Sequence, residues 1–139
     1  MYKKNILLAG EQYIFHQCNC VTNHSKGLCK IIFDTYPYAN TYKTRTVASI
    51  PGTISIHEGE RGIINGYAQY YPGKAVDGID NKNNRLFWFD ECLKAVCSIE
   101  GIKSIAMSEN IGCGLAKGNK EEYKKIIDKY SSKIRIVLY

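Results

Sequence analysis

This sequence predicts an α/β fold, a three-layer α/β/α sandwich built around a mixed sheet. Short apolar or alternating runs at 13–18, 53–57, 103–107 and 133–139 have the length and composition of strands. The segments between them place apolar residues at helical spacing, so helices alternate with strands. The 139 residues, 45% of them hydrophobic and 23% charged, suit one domain with a core that needs no disulfide staples.

The elements follow in order. Residues 2–9 are apolar enough for a first strand, and 13–18 for a second, well-buried one; only Gly10-Glu11-Gln12 joins them. A polar segment, 19–27, leads into a helix with Leu28, Ile31, Ile32 and Tyr36 on one face, stopped by Pro37. Residues 53–57 alternate, 62–70 are strand-like, and the bridge 58–62 gives a hairpin turn. A loop rich in Gly, Asp, Asn and Lys spans 72–84. The helix 85–98 turns Leu86, Phe89, Leu93, Val96 and Cys97 inward. A short strand at 103–107 runs into the glycine-bearing segment 108–118. Asn119 suits the cap of a last helix carrying Tyr123, Ile126, Ile127 and Tyr130 on one face, and 133–139 closes the sheet. No repeat or linker interrupts the chain, so 1–139 reads as one domain.

Composition narrows the function classes. No apolar run approaches the roughly 18 residues a membrane span needs. The apolar stretch near the N-terminus is short and meets Glu11 at once, unlike a signal peptide. A soluble, cytoplasmic protein is expected. Nineteen Lys and Arg against thirteen acids give a net charge of +6, which attracts nucleotides, nucleic acid or phosphorylated metabolites. The charges are dispersed, with no basic run longer than two residues, which weighs against a nucleic-acid groove. Cysteines stand at 18, 20, 29, 92, 97 and 113. With no secretory signal they do not read as a disulfide framework. The one close pair, Cys18-Asn-Cys20, sits beside His16 and His24. Alternation sends Cys18 and Cys20 to the side of His16, but small buried hydrophobes explain them better than structural zinc. No metal and no cofactor is expected.

In open α/β sheets ligands bind beyond the carboxyl ends of strands, on loops that feed helices. Two loops fit that position, 19–27 and 108–118. Gly112 and Gly114 let backbone approach a ligand, and amides in such a turn ahead of a helix make an anion nest. Neither loop fits the Walker or G-x-G-x-x-G pattern, which disfavours NTPase and Rossmann readings.

These residues carry a family resemblance. His16-Gln-Cys-Asn-Cys, then Lys26-Gly-Leu and a helix ending in Tyr36-Pro37, resembles the first signature of macrodomains. Ile105-Ala-Met, followed by Ile111-Gly-Cys-Gly-Leu, resembles their second, phosphate-binding loop. Between them, Ile64-Asn-Gly-Tyr-Ala-Gln-Tyr-Tyr and Arg85-Leu-Phe-Trp-Phe stand where such proteins have a middle strand and helix, so the likeness covers nearly the whole chain. Macrodomains bind ADP-ribose and its derivatives, and some hydrolyse them. The resemblance implies that Asn19 hydrogen-bonds the distal ribose and that Gly27 and Leu28 pass the diphosphate and distal ribose. It also implies that Ile111, Gly112, Cys113, Gly114 and Leu115 hold the diphosphate. Lys26 and Lys117 flank the loops where they can neutralise phosphate, and Tyr70 or Tyr71 can stack on a base or wall the ribose pocket.

The departures matter as much. Gly10-Glu11 stands where many members have the Gly-Asp that reads adenine, and Ser108-Glu109-Asn110 replaces a Pro-Tyr-Gly. Ala116 and Gln69-Tyr70 occupy the places where one branch keeps a catalytic aspartate and lysine, so that covalent route is not expected. For hydrolysis at the distal ribose, Asn19 would orient a water and His24, with an ordinary pKa of about 6.5, would serve as base. Glu109 is the second candidate base, and Cys113 reads as packing rather than nucleophile. The leading expectation is an ADP-ribose-type nucleotide binder that hydrolyses at the distal ribose, as an ADP-ribose 1″-phosphate phosphatase or an ADP-ribosyl hydrolase. The alternative is a non-catalytic binder that reads ADP-ribosylated macromolecules or sequesters an ADP-ribose-derived signal. The absence of an obvious acid/base pair favours the alternative.

Overall fold

The computed structural model describes residues 5–139. Five strands form one mixed sheet: β1 (Tyr13–Gln17), β2 (Ile54–His57), β3 (Gly62–Gly66), β4 (Ser104–Met107) and β5 (Arg135–Leu138). Their spatial order is β2-β3-β1-β4-β5. β1 lies parallel to both β3 and β4, β4 lies parallel to β5, and β2 pairs antiparallel with β3 at the edge. The hairpin expected around 58–62 is therefore what makes the sheet mixed.

Three helices cover the sheet: α1 (Gly27–Thr35), α2 (Lys82–Cys97) and α3 (Lys120–Tyr130). Period-two alternation assigns each strand residue to a face. Ile14, Ile63 and Ala106 pack with Ile32 and Phe33 of α1. Their sequence neighbours Phe15, Ile64 and Ile105 pack with Phe89 and Leu93 of α2 and Tyr123 and Ile127 of α3. The result is the expected three-layer arrangement, one helix on one face and two on the other.

Local chemistry sets the boundaries. α2 begins three residues before the expected start, because Asn81 caps it by accepting from the Asn84 amide at 2.8 Å. Asn119 caps α3 as anticipated, accepting from the amides of Glu121 and Glu122. Two expectations are corrected. The first strand at 2–9 is not formed where the chain is described: Ile6–Leu8 is a 3-10 turn capped by Asn5, and residues 2–4 lie outside the described residues. β1 already pairs with β3 on one side and β4 on the other, so no edge is left for that segment, which instead lays Ile6 on the α1 face. On α1, Ile31 is exposed and Phe33 is buried. The helix is rotated toward Tyr42, whose ring meets Phe33 edge-on at 5.1 Å.

Candidate functional site

β1 and β4 are parallel neighbours whose following segments leave in opposite directions. The segment after β1 enters α1 on one face, and the segment after β4 enters α3 on the other. Such a divergence opens a crevice at the carboxyl edge of the sheet. Both turns singled out from the sequence begin there, and they meet. A Cβ added at Gly27 would sit 3.1 Å from Leu115 Cδ1.

The second turn is held from within. The amides of Ile111, Cys113, Lys117 and Gly118 donate to the carbonyls of Ser108, Asn110, Gly114 and Gly112. The amides of Gly112, Gly114 and Leu115 donate to no acceptor among the described residues. Gly112 takes φ of +70°, and its Cα abuts the ring of Tyr123, where a Cβ would come within 2.2 Å of Cζ. Gly114 faces open space. Ile111 and Ala116 are buried anchors, while Leu115 and Lys117 project outward. Burial raises the thiol of Cys113, which argues against a nucleophile there.

The first turn is organised by Asn19 and by a residue the sequence did not flag. Asn19 Oδ1 accepts from the amides of Val21 and Thr22, each at 3.0 Å, while Nδ2 donates to Thr22 Oγ1 at 3.0 Å. Arg45 clamps the turn with its guanidinium. It donates to the carbonyls of Asn19 and Thr22 and, at 2.9 Å, to Asn19 Oδ1. The oxygen of the Asn19 carboxamide is thus consumed by the turn, and of its two Nδ2 hydrogens the one not given to Thr22 Oγ1 is left to donate. His24 and Lys26 are exposed on the rim, Gly27 opens α1 with φ of +60°, and Leu28 is half-buried. Nothing in the Thr- and Lys-rich stretch around Arg45 marks it in the sequence.

Beneath the crevice an amide chain links three elements. Tyr123 Oη donates to Gln17 Oε1 at 3.1 Å, Gln17 Nε2 to Gln69 Oε1 at 2.9 Å, and Gln69 Nε2 to the Tyr71 carbonyl at 2.9 Å. The segment after β3 joins from the side, where the Cys20 amide donates to the Tyr70 carbonyl. Tyr70 packs partly buried against the α1-side core with Tyr71 edge-on at 4.9 Å, and Tyr71 is the exposed ring of the pair. Asp80, fully buried, fixes this segment: its carboxylate accepts from the amides of Tyr70 and Tyr71 and pairs with Arg85 at 2.7 Å. Burial pushes the Asp80 carboxyl up, but Arg85 and the two amides more than offset it and hold it below the usual range.

A cleft of about 330 Å³ runs beside the second turn, lined by Ala75, Arg85, Leu86, Ala116, Gly118 and Tyr123 among others. A broader depression of about 660 Å³ lies against 74–77 and 81–83. Of the two, the smaller cleft reaches the second turn, at Ala116 and Gly118, and neither is lined by Asn19 or Gly27. Glu11 precedes the amino end of β1 and accepts from Tyr139 Oη at 2.6 Å. Glu109 sits at the start of the second turn, its amide on the Tyr139 carbonyl.

The six cysteines are free thiols. Cys29, not Cys20, joins His16 and Cys18 in a tight group under the first turn. The Cys29 thiol is lowered to about 5, by the Cys18 thiol first and the His16 imidazole next, against burial; burial pushes Cys18 up. No described helix is long and apolar enough to cross a membrane.

No family model and no curated protein matches the sequence. Solved structures do match. A protein of unknown function from Bacteroides thetaiotaomicron shares 24% identity and superposes with a TM-score of 0.74 over 94% of this chain and 88% of that one. The macrodomain of Mycobacterium tuberculosis DarG, 16% identical, superposes with a TM-score of 0.72 over 99% of this chain and 94% of its own. Thermosipho africanus DarTG, solved in complex with ADP-ribose, is 18% identical and superposes at 0.68 over 96% of this chain and 38% of its own.

Proposed function

Since this chain has the macrodomain fold, we propose that residues 1–139 act as one unit that binds ADP-ribose or a derivative in the crevice between β1 and β4. The observation that carries this reading is the contact of the two turns, Gly27 against Leu115. It brings the amino end of α1 and the undonated amides of Gly112, Gly114 and Leu115 to one place. Converging N–H groups with a helix N-terminus behind them favour a diphosphate. Asn19 Nδ2 supplies a donor for the distal ribose, Lys26 stands at the rim, and Tyr70 and Tyr71 wall the crevice from the β3 side. The DarTG structure, solved with ADP-ribose, supports the choice of nucleotide.

Binding without turnover fits the arrangement best, because the turns bring no acid/base pair together and the Asn19 carboxamide oxygen is already occupied. Such a protein reads ADP-ribosylated macromolecules or holds a free ADP-ribose-type signal. Hydrolysis at the distal ribose is the second reading. It is favoured by the exposure of His24, whose carbonyl accepts from Thr22 Oγ1 and so ties it to the Asn19 turn. Calorimetric titration with ADP-ribose should give saturable, stoichiometric binding, and its absence in folded protein overturns the proposal. Phosphate release from ADP-ribose 1″-phosphate, or ADP-ribose release from a modified macromolecule, abolished in His24→Ala, would select the hydrolase.

A further inference from the structure

We propose that His16, Cys18 and Cys29 form a buried Zn²⁺ site beneath the first turn. Cys18 Sγ, Cys29 Sγ and a ring nitrogen of His16 all lie within 4.8 Å of one another. Cys18 Sγ is 3.6 Å from His16 Nε2 and 3.8 Å from Nδ1. Ligands around tetrahedral zinc, with Zn–S of about 2.3 Å and Zn–N of about 2.0 Å, stand about 3.5–3.8 Å apart, so small side-chain shifts would close the set.

The surroundings prepare the imidazole for that role. Asn65, fully buried, donates through Nδ2 to the Ala39 carbonyl at 2.9 Å, which turns its Oδ1 toward His16 Nε2 at 2.6 Å. An amide oxygen only accepts, so Nε2 carries the hydrogen and Nδ1 keeps its lone pair. A metal-binding histidine usually donates its other N–H to a carbonyl in this way. Phe33, edge-on to the ring at 5.3 Å, fixes its plane. Two thiolates and a neutral imidazole are the donor types of zinc sites and neutralise Zn²⁺, and the Tyr42 hydroxyl stands beside both thiols. A Cys18–Cys29 disulfide fits less well, because it would remove both thiol donors beside His16 and strand the buried Nδ1 acceptor.

Cys18 precedes Asn19 and Cys29 lies in the first turn of α1, so bound zinc would staple both ends of the 19–28 segment. The site stands on these three side chains and not on the nucleotide reading. The test uses the reduced, folded chain. Competition against a chromophoric chelator should give one Zn²⁺ per chain, and Co²⁺ should produce thiolate-to-metal charge-transfer absorption. Zn²⁺ should also slow alkylation of half-buried Cys29 while leaving the equally half-buried Cys97 and Cys113 unaffected. Cys29→Ser should weaken Zn²⁺ affinity beyond the about 10–100-fold span of an outer-sphere change; Cys113→Ser should not alter it. Absence of the Co²⁺ band, a Cys29 alkylation rate indifferent to Zn²⁺, unchanged affinity in Cys29→Ser, or a Cys18–Cys29 disulfide in the native protein would each overturn the site.

Discussion

Replacing each glycine of the second turn by alanine separates fold from ligand in one pair of variants. At Gly112 the backbone lies at φ +70°, where an L side chain costs about 1–2 kcal/mol. The new Cβ would also stand 2.2 Å from Tyr123 Cζ and 2.5 Å from its hydroxyl oxygen. That ring belongs to the core and donates to Gln17, so its displacement adds an overpacking cost of about 1–3 kcal/mol. The total, about 2–5 kcal/mol, should lower the melting temperature of Gly112→Ala by on the order of 10 °C. At Gly114 φ is not positive and no atom lies within 4 Å of the added Cβ, so Gly114→Ala should melt as the parent does. Its methyl instead enters the space next to the undonated amides, and ADP-ribose affinity should fall by at least about tenfold, near 1.4 kcal/mol. Differential scanning calorimetry and ADP-ribose titration measure the two effects. A Gly112→Ala protein within about 1 kcal/mol of the parent would refute the steric reasoning. Full affinity in Gly114→Ala would refute the diphosphate assignment.

The remaining predictions concern the first turn and the segment after β3. Asn19→Asp retains the oxygen that accepts from Val21, Thr22 and Arg45 but loses the Nδ2 donor; it should fold normally and bind ADP-ribose at least about tenfold more weakly, and unchanged affinity would remove Asn19 from the ribose. Arg45→Ala strips the guanidinium from the Asn19 and Thr22 carbonyls; stability should drop by about 2–3 kcal/mol, and amide exchange at Val21 and Thr22 should rise, with Arg45→Lys recovering only part because it lacks the fork. Asp80, held below its ordinary range, contributes stability that is present above the unfolded carboxylate value of about 3.9 and is lost as pH falls through the lower folded value. Urea titrations across that acidic window should show the loss in the parent and its absence in Asp80→Asn. The variant itself should be less stable by about 3–5 kcal/mol at neutral pH, since it leaves buried Arg85 unpaired.

The layers and most of the elements can be read from the amino-acid order alone. Alternation at Ile14-Phe15, Ile63-Ile64 and Ile105-Ala106 divides the core between two faces, and the helical spacing of Phe89, Leu93, Tyr123 and Ile127 covers one of them. Asn119 and Pro37 punctuate the chain through backbone chemistry, which acts locally and is therefore readable locally. The apolar run ahead of Gly10 was visible too, but not its fate, because a lone run does not reveal that β1 already has a neighbour on each side. Tertiary structure alone decided which distant residues share a site. Gly27 meets Leu115 only because β1 and β4 are neighbours in the sheet. Arg45 reaches Asn19 across 26 positions of sequence. Cys29 replaces Cys20 beside His16 because α1 packs over that face of β1, with Phe33 edge-on to the His16 ring, a contact that strand alternation does not show. Pairings of that kind depend on strand order and crossover direction, which no window along the chain contains.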